Sequence, residues 1–341
     1  MRIGLLKEPD FFENRVALVP ADVKKLISMD YEIYVEQNAG TKALFCDEDY
    51  IAAGAKICRR GHIFSSSDII VGINPPLDKE IKKLQKFSTI IAAKYDNKNC
   101  SVLQKKELSF LALNHIPRLS NLQNIDILSS QDMLGGYACV YQAAATLKKI
   151  LPMTLTAAGS LNSAVFLVIG MSVFGMSAAA TAKKLGASVY AYDINPDTME
   201  TAKSAGAKFV NLSSKEKMKE FLAKVDILVC AAFSHNKPAT KIINEDMLKT
   251  MPRGSVIIDA AAAYGGNVEC SKFGKKIEKY NSTVFGYACW ASLVPNSASI
   301  LLSKNIINII SGYFHGGRPD FSSEVIEKIC MCKNGKNNIH G

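Results

Sequence analysis

Ala164-Val165-Phe166-Leu167-Val168-Ile169-Gly170-Met171-Ser172-Val173-Phe174-Gly175 is the stretch of this 341-residue chain that decides its fold. Its first six residues are all apolar, which reads as a strand buried on both faces of a parallel sheet. Gly170 to Gly175 is a turn. Met176 to Leu185 reads as a helix with alanines at close-packing positions, capped by Gly186. Ser188-Val189-Tyr190-Ala191-Tyr192 is the next strand, and Asp193 ends it. A dinucleotide fold uses such a unit to set a pyrophosphate on a helix N-terminus, where free N–H groups and the helix dipole favour negative charge. The usual pattern is G-x-G-x-x-G, and here Ser172 replaces the middle glycine. The serine adds a Cβ where backbone approaches phosphate, but its hydroxyl is a donor for that phosphate. Gly170, Ser172, Val173 and Gly175 are the candidate pyrophosphate residues. Asp193, 23 residues after Gly170, is the candidate acceptor for the adenosine ribose hydroxyls, and its charge disfavours a 2′-phosphate. Two blander alternatives stay open: an α/β turn that binds nothing, and a turn aspartate followed by Asn195-Pro196.

Outward from this unit the same alternation continues. Val225–Cys230 and Ser255–Ile258 are two more buried strands, the second ending in Asp259. Asp259, Gly266 and Asn267 then stand at the carboxyl end of a strand, where open α/β sheets bind ligands. Towards the N-terminus, Arg2–Leu6, Glu32–Glu36, Ile69–Ile73, Thr89–Ala93 and Leu111–Leu113 read as strands, with a helix over Pro20–Met29. Asp126 to Leu151 reads as a long helical connector interrupted only by Gly135-Gly136. Ala298–Ser311 reads as an amphipathic helix returning to the first domain. The expectation is an α/β protein of two Rossmann-like domains with mainly parallel sheets. The first comprises residues 1–130 plus about 300–341. The second, residues 131–299, is the dinucleotide-binding fold, with the NAD cleft between the two.

Composition excludes several classes. The chain is 48% apolar and 21% charged, which is globular rather than disordered. Its +10 net charge is spread as Lys-Lys pairs on what read as helix faces, without the concentrated stripe that nucleic acid requires. Lys7 and Glu8 interrupt the N-terminus too early for a signal peptide. Leu151 to Ala182 carries no charge, but its glycines, serines and Pro152 suit strand, turn and helix better than a membrane span. The nine cysteines are odd in number and scattered, which argues against a disulfide framework or zinc site and for the cytosol. Cys330-Met331-Cys332 reads as part of a fraying basic tail rather than a redox pair. None of the five histidines has the spacing of an acid–His–nucleophile set.

A second signal is Pro117-Arg118-Leu119-Ser120 through Gln123, Asp126 and Ser129-Ser130-Gln131, many polar groups in an apolar neighbourhood. Beside a dinucleotide site this is a candidate nicotinamide clamp: Arg118 can fork onto a carboxamide, and Gln123, Asp126 and Ser129 can donate or accept around it.

These residues resemble the alanine dehydrogenase / nicotinamide nucleotide transhydrogenase family over nearly the whole chain. The likeness runs through Glu13-Asn14-Arg15-Val16-Ala17-Leu18-Val19-Pro20, Val35–Gly40, Asp47–Ala55, the 117–137 stretch, Thr156–Gly159, and Asp259 with Gly265-Gly266-Asn267. The 117–137 stretch looks like the NAD(H)-binding alpha-subunit branch of the proton-translocating transhydrogenases. The resemblance implies that Arg118, Asp126 and Ser129 hold nicotinamide and that Gln123 meets the partner's NADP(H). It also implies direct hydride transfer from NADH to NADP⁺ bound on a beta subunit. The expected partners are membrane-embedded subunits and a second copy of the chain, with the protein cytoplasmic and peripheral to the inner membrane. The departures are Ser172, Asn121 for an arginine, a shortened Phe209–Val225 segment, the loop Ala231–Ala239, where only Lys237-Pro238-Ala239 keeps the pattern, and Leu293 for an arginine. Two alternatives remain. One is a stand-alone amino-acid dehydrogenase, matched by Arg15 but with Asn74 at its lysine and no clear histidine near Ala92–Asp96. The other is a degenerate NAD-binding relative.

Overall fold

The computed structural model describes residues 1–9, 12–95, 100–117, 119–235 and 237–337. It divides into two compact units, Met1–Gln131 with Pro295–Gly341, and Asp132–Val294. Both are α/β with mostly parallel sheets.

In the first unit β1 (Arg2–Leu5), β2 (Glu32–Glu36), β3 (Lys56–Cys58), β4 (Ile69–Gly72), β5 (Thr89–Ala92) and β6 (Ser109–Ala112) form parallel pairs in the order β3-β2-β1-β4-β5-β6. The buried runs of β4 and β5, apolar except for Thr89, sit in the middle, covered on both faces. The helix Pro20–Ser28 opens on its proline, whose missing N–H costs nothing in a first turn. The helix Pro295–Tyr313 brings Leu302, Ile306, Ile309 and Ile310 into this unit's core. Cys330–Lys333 corrects the sequence expectation: it is not a fraying tail but a strand antiparallel to β6. Cys330 and Cys332 are buried there, because Cys-Met-Cys is apolar enough to cover an open sheet edge. Burial pushes the Cys330 thiol up to about 12, which makes it a poor redox thiol.

In the second unit β7 (Thr154–Thr156) and β8 (Gly159–Leu161) make an isolated hairpin. The sheet proper consists of β9 (Val165–Ile169), β10 (Ser188–Tyr192), β11 (Lys208–Phe209), β12 (Ile227–Cys230), β13 (Val256–Asp259), β14 (Lys275–Lys279) and β15 (Ser282–Gly286). Its order is β11-β10-β9-β12-β13-β15-β14, parallel except for β14. The chain runs from β9 outward to β11, then returns to the other side of β9 as β12. The carboxyl ends of β9 and β12 therefore flank the topological switch point, where such sheets bind ligands.

The expected break at Gly135-Gly136 does not occur. Ile127–Thr146 is one continuous helix, and the glycines serve a close approach instead. A Cβ on Gly136 would lie 2.3 Å from the Phe174 carbonyl and 2.8 Å from the Ser177 Cβ. The helix Val173–Lys184 thus packs directly on this backbone. The helix stops at Thr146, short of the expected end at Leu151. Among the described residues no helix is long and apolar enough to cross a membrane.

The first unit also holds a buried ion pair with a pH consequence. Arg15 donates from Nε (2.7 Å) and Nη2 (2.7 Å) to the two oxygens of Glu13, and from Nη1 to Gln131 (2.7 Å). Burial pushes the Glu13 carboxyl up, but the Arg15 guanidinium and Lys94 outweigh it and hold it at about 2. A carboxyl lowered from its ordinary 4.5 contributes stability that is complete above pH 4.5 and is lost as pH falls towards 2. The size is about 3 kcal/mol by linkage. Glu13→Gln is expected to be less stable at pH 7, because Arg15 is left buried against an uncharged amide. It should also show a flatter stability curve between pH 5 and 2. Urea unfolding across that range checks this, and an acid slope equal to wild type would refute it.

Candidate functional site

The carboxyl ends of β9, β10, β12 and β13 carry the candidate site. Gly170 follows β9 with φ +93°, and a Cβ there would meet the Ala231 carbonyl at 2.5 Å. The turn therefore lies against the exit of β12. Gly175 lies in the first turn of the helix Val173–Lys184, and a Cβ there would lie 1.8 Å from the Gly170 carbonyl. Only glycine lets the helix start this close to the strand it follows. The alanines read as close-packing positions bear this out, with Ala178, Ala179 and Ala182 in the core beside it.

Ser172 occupies the N-cap of this helix (φ −64°, ψ 178°), yet its hydroxyl caps nothing. The Oγ is buried and has no hydrogen-bond partner. A serine at an N-cap ordinarily accepts from the amide two or three residues on. Here the orphan hydroxyl stands beside the first amides of a 12-residue helix, which have no intrahelical acceptor. Val173 is the first residue of that helix. This donor set, helix-start amides plus one hydroxyl, is one that a pyrophosphate would fit.

Asp193 serves the turn itself. Its Oδ2 accepts from the Met171 amide at 2.7 Å and its Oδ1 from the Asn195 amide at 2.9 Å. The second bond is the turn geometry that Asn195-Pro196 suggested. A carboxylate has about four acceptor positions, so ribose hydroxyls can still be accepted.

Asp259, Gly266 and Asn267 prove to be inward-facing. Asp259 is wholly buried and accepts from the amides of Ala261 (3.1 Å), Asn267 (3.0 Å) and Val268 (3.1 Å). A Cβ on Gly266 would collide with its carboxylate. Asn267, also fully buried, accepts from the Ala232 amide and donates to the Ala232 and Thr240 carbonyls. These side chains shape the loops after β12 and β13. A ligand would meet the backbone they hold rather than the side chains.

Of the second signal, Arg118 lies outside the described residues. Asp126 is the residue before the helix Ile127–Thr146 and takes the Ser129 amide (3.0 Å) and hydroxyl (2.6 Å), an N-cap arrangement. Gln123 is exposed at the end of the short turn Ser120–Leu122. Asp126 and Ser129 are therefore together, and Gln123 lies three residues before Asp126 in the same unit.

Of the positions compared with an amino-acid dehydrogenase, Arg15 and Asn74 are each held by a glutamate. Asn74 donates from Nδ2 to Glu8 at 2.7 Å, and Glu8 also accepts the amides of Ile73 and Asn74. Burial raises this carboxyl above the ordinary range. Arg15 is forked onto Glu13. Asp96 lies outside the described residues. Among the described residues no group of three His, Cys, Asp or Glu is placed to hold a metal.

The sequence missed one cluster. Asp132, His235 and Tyr264 are joined in series, with His235 Nε2 at 2.9 Å from Asp132 Oδ2 and Nδ1 at 2.5 Å from Tyr264 Oη. The three come from separate segments, so no spacing announced them.

Residues 4–134 match the model of the alanine dehydrogenase/PNT N-terminal domain and residues 139–339 that of the C-terminal domain. An NAD(P) transhydrogenase subunit alpha protein of Rickettsia prowazekii is 33% identical over an alignment 366 positions long, gaps included, covering 98% of this chain and 96% of that one. NAD(P) transhydrogenase subunit alpha of Haemophilus influenzae is 34% identical over 91% of this chain, which spans 65% of that longer protein. The crystal structure of transhydrogenase from Sinorhizobium meliloti superposes with a TM-score of 0.94 at 32% identity, over 99% of this chain and 100% of that one. Alanine dehydrogenases are more distant relatives, at 27–28% identity.

Proposed function

This chain belongs to the alanine dehydrogenase/PNT family, and we propose that it is the NAD(H)-binding subunit of a proton-translocating NAD(P) transhydrogenase. The observation that supports this best is the buried, unpartnered Ser172 hydroxyl at the start of the helix Val173–Lys184. An O–H desolvated without a partner costs free energy, and a pyrophosphate oxygen on the helix N-terminus would relieve that cost. In this reading Gly170, Ser172, Val173 and Gly175 hold pyrophosphate, and Asp193 holds the adenosine ribose. Arg118, Gln123, Asp126 and Ser129 surround the nicotinamide, and the loops shaped by Asp259, Gly266 and Asn267 bound the site.

NADH supplies a hydride for NADP⁺ held by a beta subunit. The chain's own task is to orient and to exclude water, since hydride passage between two nicotinamides requires juxtaposition rather than a general base. Proton movement belongs to membrane-embedded partner subunits on which this chain docks from the cytoplasm. A second copy is a further partner. Met153, Leu155 and Leu161 of the β7–β8 hairpin are 71%, 78% and 55% exposed. An apolar groove of about 260 Å³ lined by Tyr137, Tyr141, Leu151 and Leu185 lies in the same unit. Apolar surface of this kind marks an interface.

Calorimetric titration of the purified chain tests the assignment. NADH is expected to bind at least about tenfold more tightly than NADPH, with Ser172→Ala losing about fivefold in NADH affinity through one hydrogen bond. Sedimentation of the same sample should return a dimer mass. With a partner subunit, NADH should reduce an NADP⁺ analogue. No NADH binding would sink the proposal, and reduction of pyruvate with ammonia would replace it with an amino-acid dehydrogenase.

A further inference from the structure

Asp132, His235 and Tyr264 tie three segments of the second unit at one rim of its sheet. Asp132 lies on the helix Ile127–Thr146, His235 in the loop after β12, and Tyr264 in the short turn Ala262–Tyr264 after β13. The Asp132 and His235 side chains are 10% and 16% exposed, so water is a weak competitor for these bonds. The direction of these bonds depends on where the His235 ring carries its protons. An ionised Asp132 only accepts, so Nε2 donates to it. With the ring protonated on Nε2 alone, Nδ1 accepts the Tyr264 O–H, and the polarity is Tyr264 to His235 to Asp132.

Apolar contacts run alongside. The Phe233 ring stacks on Tyr264 (centroids 5.4 Å, 17° between planes) and meets Phe174 edge-on at 6.2 Å. Phe174 is the second residue of the helix that begins at Val173. The loop is also fastened at its start, where Gly170 packs on Ala231 and Asn267 takes both backbone groups of Ala232. Phe233 thus links the loop to Phe174 of the Gly170–Gly175 turn, and His235 ties it to the helix Ile127–Thr146 and to the turn after β13.

We propose that Asp132, His235 and Tyr264 form a polarised latch that orders the loop after β12 against the turn, with His235 as a positioning residue for nucleotide binding. This rests on the assignment of Gly170–Gly175 as the pyrophosphate site. The latch acts through the ring contacts and touches neither nucleotide nor hydride.

Two measurements test it, one of which needs no nucleotide. Nitrogen-15 spectra of the histidine-labelled chain, with His235 identified by its loss in His235→Asn, should show a neutral ring protonated on Nε2 with Nδ1 hydrogen-bonded. Tyr264→Phe keeps the ring that stacks on Phe233 and removes only the O–H. It should shift the Nδ1 resonance and speed amide exchange in the loop by about tenfold. Asp132→Asn should release the tautomer. Both variants should weaken NADH binding by about fivefold without lowering the melting temperature by more than a few degrees. A ring protonated on Nδ1 overturns the latch. So does Tyr264→Phe or Asp132→Asn with wild-type loop exchange, or with wild-type affinity in a chain that binds NADH. If wild-type chain fails to bind NADH, the nucleotide assignment falls and with it the positioning role, while the tautomer and exchange data still decide whether the latch exists.

Discussion

Gly175→Ala is expected to lower stability by about 3 kcal/mol or more and to weaken NADH binding by more than about tenfold. The added methyl would start 1.8 Å from the Gly170 carbonyl. Both partners are backbone, so no rotamer change relieves the contact. Relief requires the helix Val173–Lys184 to withdraw from β9, and its first amides and the Ser172 hydroxyl move with it. Gly61→Ala is the control, since it sits in the helix Arg60–Ser66 with open space around its Cβ position. There alanine should be neutral or stabilising by about 0.5 kcal/mol. Thermal and urea unfolding compare the two, and titration with NADH reads the site. A Gly175→Ala protein that melts and binds like wild type would show that the turn does not pack on the helix start in this way.

Asp259→Ala is the second large effect. Its carboxylate satisfies three backbone amides, all buried with it. Each unsatisfied buried donor costs about 1–3 kcal/mol, so the loss should be about 3–6 kcal/mol, a large share of any domain's margin. Asp259→Asn keeps the shape but turns an N–H₂ towards an amide, and should cost less. The pair separates two roles. As a loop-holding residue, Asp259 gives stability losses that run in step with the loss of NADH affinity. As a direct ligand to the cofactor, Asp259→Asn would lose affinity while unfolding like wild type.

These two residues also show how far sequence reading reaches. Gly170 and Gly175 were legible because a turn between strand and helix is a local event with a fixed glycine spacing. The strands were legible because two-sided burial writes a continuous apolar run, as in Ile69–Gly72 and Val256–Ile258. Asp259 was legible as a position at a strand end, but the direction of its side chain was not. A carboxylate facing a ligand and one facing three amides look alike in sequence. Gly135-Gly136 misread as a break for a similar reason: glycine marks both a broken helix and one approached closely by another, and only the neighbour at Phe174 and Ser177 distinguishes them. Cys330–Lys333 misread as a tail because its partner, β6, lies more than two hundred residues away.

By itself the sequence determined the α/β class, the strand–turn–helix that begins at Val165, the family, and the residue types available to a nucleotide, because each is carried by short-range period and spacing. Tertiary structure alone decided which way polar side chains face. It left the Ser172 hydroxyl without a partner, turned Asp259 and Asn267 onto backbone, and joined His235 to Asp132 and Tyr264, which lie 103 and 29 residues away along the chain. Hydrogen bonds are directional and contacts of this range leave no periodic trace, so they exist only once the sheet has brought its loop ends together.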